Sequence, residues 1–531
     1  MKPINLFLIL ILCAIQCLVP GGLNASQATT APAAAADSAG VLDPSLRSVT
    51  RHSLKLDSGE MAYTATAASV TVKDKQAGPI GRIFYIAYTA RAADNASRPL
   101  TFVFNGGPGA ASAYLHLGAM GPRRVLFNPD GTVPPTPARM ADNAKSWLAF
   151  TDLVFVDPIG TGYSRAIPSD SGQAPATDAA RKSMPPDNSS DAADVWGVAE
   201  DAETLARFIR TYLTVEERWL SPLFLAGESY GGFRAARLSI LLQSQFGIAP
   251  SGLVLISPAL DFGMLRGDER SLWPWVVLLP SYAAVAAVHG GDHDPAVDKN
   301  GFSSRSVPAE AEHFALSGYL SGLASGLFSR DWMDQTRRFT GLGPDVLQRW
   351  RGRIPPALYV KQLPADQHRV LSLYDGSIAM IDPNPTRQFA GGDLYLSRLK
   401  APLTAAFNDY VRNSLDFQTD LPYLLLNADV FKAWNWRSGI QGQQGFAEAV
   451  ADLKQAMTLN PGMHTMIVHG VYDLVTPYFA SEIAIRQMDL HPEIRCNIQL
   501  KVYRGGHMPY LKSQVLDRLF SDAGRFYQSV P

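Results

Sequence analysis

The sequence predicts an α/β protein with a central, mostly parallel sheet and a mainly helical insertion. Three observations carry this. Four short runs, at 153–156, 223–226, 253–256 and 466–468, are continuously apolar, as strands covered on both faces of a parallel sheet are. Helix-like stretches at 195–213 and 232–245 lie between runs, and such alternation is the pattern of an α/β domain. From about 262 to 430 the rhythm breaks: tryptophans stand at 273, 275, 332 and 350, with many Ala and Leu and few β-branched runs.

Taken in order, residues 1–25 read as an export signal. Lys2 supplies the positive start, 4–19 is almost wholly apolar, Pro20-Gly21-Gly22 breaks it, and Leu23-Asn24-Ala25 offers a cleavage site. The chain is therefore expected to be exported, periplasmic or secreted. The alternative is a retained membrane anchor, but the stretch is short beside the roughly 20 residues of a spanning helix. No stable membrane span is expected once the signal is cleaved. Residues 26–45, rich in Ala, Ser and Thr, read as a flexible linker. Strands are expected at 62–72, 82–90 and 100–104. The first two alternate, as antiparallel strands half exposed at a sheet edge do. The Pro-, Ser- and Asp-containing stretch 167–190 reads as an irregular surface excursion. The apolar stretch 273–288 carries Pro274 and Pro280 and reads as a buried pair of helices. A last strand at 498–503 precedes a final helix at 512–527. The α/β domain thus occupies 46–261 and 431–531, with the helical insertion, a cap, at 262–430. The sequence holds no internal repeat.

Composition excludes several classes. Of 531 residues, 47% are hydrophobic and 18% charged, enough apolar material for a large core. Lys plus Arg number 47 against 48 Asp plus Glu, so no basic excess points to nucleic acid. Cys13 and Cys17 fall in the signal, and Ala14-Ile15-Gln16 is a poor lipidation context. Cys496 is then alone, leaving no internal disulfide. A chain this long can build its core without one.

The chemistry concentrates in a few turns. Gly227-Glu228-Ser229-Tyr230-Gly231 fits G-x-S-x-G, with an apolar run directly before it and a helix-like stretch directly after. Strand, sharp turn, helix is the setting of a nucleophile elbow, which lifts the serine hydroxyl out of the turn. The plain alternative is an ordinary strand-to-helix turn that contains a serine. A serine nucleophile needs a base, and the base an orienting acid. Asp473 and His507 each follow a strand, and 34 residues separate them, room for one helix and one strand. The order Ser229, Asp473, His507 is that of α/β-hydrolases. His469 precedes the acid and is expected to be structural. Asn105-Gly106-Gly107-Pro108-Gly109 follows another strand. It is neither a P-loop nor a dinucleotide fingerprint, and neither an HExxH motif nor a Cys/His cluster suggests a metal. No cofactor is expected.

These blocks, with Asp157-Pro158-Ile159-Gly160-Thr161-Gly162-Tyr163-Ser164 and Gly505-Gly506-His507-Met508, resemble the serine carboxypeptidase family, peptidases of the α/β-hydrolase fold. The likeness covers roughly 80–260 and 460–515. It implies a peptide substrate, Ser229 as nucleophile, His507 as general base and acid, and Asp473 as its orienting group. It implies an oxyanion hole from the N–H groups of Gly107 and Tyr230. It assigns Asn105, Gly106 and Glu228 to the substrate's terminal carboxylate, with Glu228 protonated so that it donates a hydrogen bond. The sequence departs at two places. Ala110 stands where the family often has a cysteine. Ala119, fourteen residues after Asn105, stands where it usually has a second glutamate that shares Glu228's proton. Two close carboxyls raise one pKa strongly, so this chain is expected to be less acid-loving or less selective for a free C-terminus. The expected function is release of C-terminal residues from peptides through an acyl-enzyme on Ser229. The alternatives are an esterase, amidase or acyltransferase using the same triad, or a binding protein without activity. Side-chain preference is expected to come from the cap and the loops near Tyr163 and Asn408.

Overall fold

A computed structural model describes residues 46–57, 59–91, 97–167, 195–266, 270–290, 306–437 and 446–530. The expected signal and linker, and nearly all of the 167–190 excursion, lie outside the described residues.

Among the described residues, nine strands form the path of the main sheet. They are β1 (Arg47–Leu56), β2 (Gly59–Lys73), β3 (Pro79–Ala90), β4 (Leu100–Phe104), β5 (Asp152–Val156), β6 (Leu223–Glu228), β7 (Gly252–Ile256), β8 (His464–Gly470) and β9 (Ile498–Tyr503). Their order is β1-β2-β3-β5-β4-β6-β7-β8-β9, and the two-residue strand Arg165–Ala166 pairs with β3. The pairings β1–β2, β2–β3 and β3–β5 are antiparallel. The five from β5 to β9 are parallel. From β4 the chain leaves for β5 on one side and then crosses to β6 on the other. Strand order therefore reverses between β4 and β6, and ligands of open α/β sheets bind beyond the C-terminal ends of strands at such a point.

The apolar runs serve two cores because successive strand side chains point to opposite faces. Val103, Phe155, Ala226, Val254 and Val468 enter one core, with the final helix. Phe102, Val154, Leu225, Leu255 and Ile467 enter the other, with α1 (Val198–Val215) and α2 (Tyr230–Leu241). Strand β3 differs from expectation. It is buried on both faces over most of its length. Phe84 packs on Tyr163 and Phe417, while Tyr85 packs on Phe208 and Tyr212. The edge falls instead to β1, whose alternating polar side chains gave no strand signal and whose outward residues are exposed.

The insertion also departs from expectation at 273–288, which is one helix, α3 (Trp273–Val288), not two. Pro274 sits in the first turn, where its missing N–H costs nothing. Pro280 lies inside, a defect of about 3 kcal/mol. Complete burial of Val276, Val277, Leu279 and Val285, at about 1.5–3 kcal/mol each, outweighs it. Between β7 and β8 the described residues are mainly helical. They include α4 (Leu394–Asn413) and a small hairpin, Arg369–Leu371 with Ala379–Ile381.

Two glycines separate close approach from backbone freedom. A Cβ on Gly227 would lie 2.0 Å from the Gly231 carbonyl oxygen, whereas one on Gly247, at φ +67°, would meet nothing within 4 Å. Gly227→Ala is expected to cost about 3 kcal/mol or more, the upper end of overpacking. Gly247→Ala is expected to cost only the 1–2 kcal/mol or so of the left-handed conformation. Urea denaturation with an unchanged m value checks both; equal losses would refute the close-approach argument.

Candidate active site

Ser229 stands between β6 and α2 with φ +60° and ψ −123°. A non-glycine residue held there stores strain of order 1–3 kcal/mol and needs surroundings that impose it. Its N–H donates to the Ile256 carbonyl at 2.9 Å, and its own carbonyl accepts from Gly232 at 3.0 Å. The loop after β4 lies flat against this turn. A Cβ on Gly106 would be 2.6 Å from both the Glu228 oxygen and the Tyr230 nitrogen. Arg234 of α2 clamps the two together. Its Nη1 donates to the Asn105 carbonyl at 2.6 Å, and its Nε pairs with Asp201 of α1, also at 2.6 Å. Both side chains are buried, and losing one partner of such a pair costs about 3–5 kcal/mol.

Asp473 and His507 come from the loops after β8 and β9. Nδ1 of His507 lies 2.8 Å from Oδ2 of Asp473. Oδ1 of Asp473 accepts from the backbone N–H groups of Val475 and Thr476 at 2.8 and 3.0 Å. The Thr476 hydroxyl is within reach of both Asp473 Oδ2 (2.7 Å) and the Ser257 carbonyl (2.9 Å), and with one proton it serves one at a time. Tyr374, between the strands of the small hairpin, also reaches the site. Its carbonyl accepts from the His507 N–H at 2.5 Å, and its ring stands edge-on to the imidazole. Burial alone would lower the His507 pKa, but the charge and hydrogen bond of Asp473, aided by Glu228, hold it above the usual histidine value. His469 is a buried side chain bonded through Nε2 to the Ser481 hydroxyl at 2.8 Å, and burial pushes it down to about 4.

One cleft is lined by Asn105, Gly106, Gly107, Glu228, Ser229 and His507. Of the predicted site residues, these six line the cleft, Asp473 stands behind His507, and Tyr230 follows Ser229 with its ring turned into the core. Among the described residues, no protein acceptor engages the N–H of Gly107 or of Tyr230. Ser229 Oγ and His507 Nε2 likewise make no hydrogen bond. Glu228 accepts at both oxygens, from Asn105 Nδ2 on Oε1 at 3.2 Å and from the Tyr510 hydroxyl on Oε2. The Leu115 N–H donates to Asn105 Oδ1 at 3.0 Å, which fixes the amide's orientation. Burial pushes Glu228 up to about 7; His507, Tyr510 and Asn105 oppose this, and Asp473 adds to it.

Thr476, Tyr374 and Tyr510 escape the sequence reading. Thr476 and Tyr510 each stand three residues past a predicted residue, the only local signal they carry; Tyr374 comes from a distant hairpin. Tyr163 and Asn408 meet expectation only in part. They are hydrogen-bonded to each other at 3.0 Å, but Tyr163 is buried and neither lines the cleft. Among the described residues, no group of three His, Cys, Asp or Glu side chains is arranged to hold a metal ion, and no helix is long and apolar enough to cross a membrane.

The strand order and the elbow after β6 are those of the α/β-hydrolase fold. Residues 70–245, about a third of the chain, match the serine carboxypeptidase family, peptidase family S10. The match takes in the Asn105 loop and Ser229 and ends before Asp473 and His507. No curated protein matches. Similar solved structures include a proline iminopeptidase from Mycobacterium smegmatis, 11% identical over 87% of this chain and 98% of that one, TM-score 0.34. A peroxisomal α/β-hydrolase from Saccharomyces cerevisiae is 11% identical over 89% of each chain, TM-score 0.38. An esterase from Thermogutta terrifontis is 11% identical over 91% of this chain and 99% of that one, TM-score 0.30.

Proposed function

We propose that the protein is an exported serine carboxypeptidase-like hydrolase that releases C-terminal residues from peptides through an acyl-enzyme on Ser229. The observation that carries this is a single cleft holding Ser229, His507 backed by Asp473, and the Glu228–Asn105 pair. His507 Nε2 takes the Ser229 proton as Oγ bonds to the scissile carbonyl carbon. The oxyanion accepts from the N–H groups of Gly107 and Tyr230, and losing one such donor costs about 2.7–4 kcal/mol where a side chain supplies it. The imidazolium then protonates the leaving amine, the C–N bond breaks, and the C-terminal residue departs. Water, deprotonated by His507, attacks the ester and frees Ser229. The Ser229–His507 hydrogen bond forms when substrate fills the site. Asn105 and neutral Glu228 donate to the terminal carboxylate.

Comparing a blocked dipeptide acid with its C-terminal amide and its methyl ester tests the reading. Preference for the acid supports it; turnover of the ester alone would replace it with the esterase alternative, which Ala119 favours by removing the second carboxyl from the site. The acid substrate also has a predicted pH profile. Protonation of His507 removes the base, so kcat/KM falls on the acid side. Glu228 ionises above about 7 and then repels the substrate carboxylate, so kcat/KM falls on the alkaline side too. The amide lacks that alkaline limb. A sharp optimum near pH 5 for the acid would contradict this assignment.

A further inference from the structure

We infer that Tyr510 decides which oxygen of Glu228 carries the acid proton, and so lets one carboxyl recognise a terminal carboxylate beside Asn105. The inference rests on the carboxypeptidase reading and makes Tyr510 a positioning residue. Tyr510 is fully buried, and Glu228 Oε2 is the only acceptor its hydroxyl has among the described residues. Its ring is held against the helix at 116–120, where a Cβ on Gly118 would come 2.8 Å from the ring edge. Burial raises the phenol far above its ordinary pKa, so it remains a donor whatever the state of Glu228.

A carboxyl's carbonyl oxygen accepts hydrogen bonds, whereas its hydroxyl oxygen donates. A permanent donor on Oε2 therefore keeps Oε2 as the carbonyl and assigns the proton of neutral Glu228 to Oε1. That oxygen lies on the Asn105 side, where the existing bond is long, at 3.2 Å. Asn105 lines the same cleft and has a second amide hydrogen. An acid O–H and an amide N–H then stand side by side, the donor pair a carboxylate accepts with its two oxygens. The titratable groups that face Glu228 are His507, Asp473, Tyr114, Tyr374 and Tyr510. Of these Tyr510 alone among the phenols is bonded to it.

The test is Tyr510→Phe in the full chain, with kcat/KM measured against pH for a blocked dipeptide acid and its methyl ester. Losing a neutral donor is worth roughly two- to tenfold. At pH 5 the acid-to-ester ratio is expected to fall by about that factor, through KM for the acid. The bond also favours the ionised carboxylate, so its loss raises the Glu228 pKa and moves the acid substrate's alkaline limb to higher pH. An unmoved limb, with acid and ester falling together, would overturn the inference and leave Tyr510 as packing. A wild-type enzyme with no preference for the acid would overturn the carboxypeptidase reading and this inference with it. Glu228→Gln keeps the question open to test if the phenylalanine variant does not fold. With Tyr510 on the amide oxygen, the amide N–H₂ points to the Asn105 side, and the acid-to-ester ratio is expected to become independent of pH above 7. A ratio that still falls there would overturn the inference.

Discussion

Ser229→Ala is expected to lower kcat by about 10⁶-fold, the effect of deleting a triad nucleophile, and to abolish labelling by a fluorophosphonate. The argument is geometric. The elbow raises Oγ into a cleft that also holds His507 and Gly107, and alanine supplies no atom that can bond to the substrate carbon. The fold is expected to survive, because alanine at φ +60° carries the same backbone strain as serine. Residual turnover of about 10³–10⁴ over water is expected from the N–H groups of Gly107 and Tyr230 and from binding. Persistent labelling of the alanine variant would refute Ser229 as nucleophile. Labelling of the wild type without hydrolysis of any peptide would leave the nucleophile in place and move the assignment to ester or amide chemistry. A wild type that does not label at all would make the cleft a binding site.

The parts of this molecule that could be read from sequence are those where a local pattern has one physical cause. Continuous apolar runs at 153–156, 223–226 and 253–256 have no stable arrangement except burial on both faces, and they became β5, β6 and β7. The G-x-S-x-G spacing around Ser229 marked a sharp strand-to-helix turn, and the backbones of Gly227 and Gly231 approach closely there. What failed depended on partners far along the chain. Alternation in β3 looked half exposed, yet residues from α1 and from 407–423 cover it. Pro274 and Pro280 are local breakers, yet burial overrides the second. Tyr510 could not be read, because its meaning comes from Glu228, 282 positions away. The departure at Ala119 was legible; what faces Glu228 in this chain was not.

Replacing Asp473 with asparagine is expected to lower kcat about 10⁴-fold, as loss of the orienting acid does in triads, with little loss of stability. The two backbone N–H groups of Val475 and Thr476 demand an acceptor at Oδ1, and asparagine can still provide one. Doing so turns its N–H₂ toward His507. Nδ1 must then accept, which forces the imidazole proton onto Nε2, the nitrogen that has to take the proton from Ser229. The Thr476 hydroxyl would be left with the Ser257 carbonyl as its remaining acceptor, so no buried hydroxyl is stranded. The substitution also removes the charge that raises the His507 pKa against the cost of burial. The acid limb of kcat/KM is therefore expected to move to lower pH even as the plateau collapses. A loss below tenfold with an unmoved acid limb would show that Asp473 does not orient His507, and the acid would have to be sought elsewhere in the cleft.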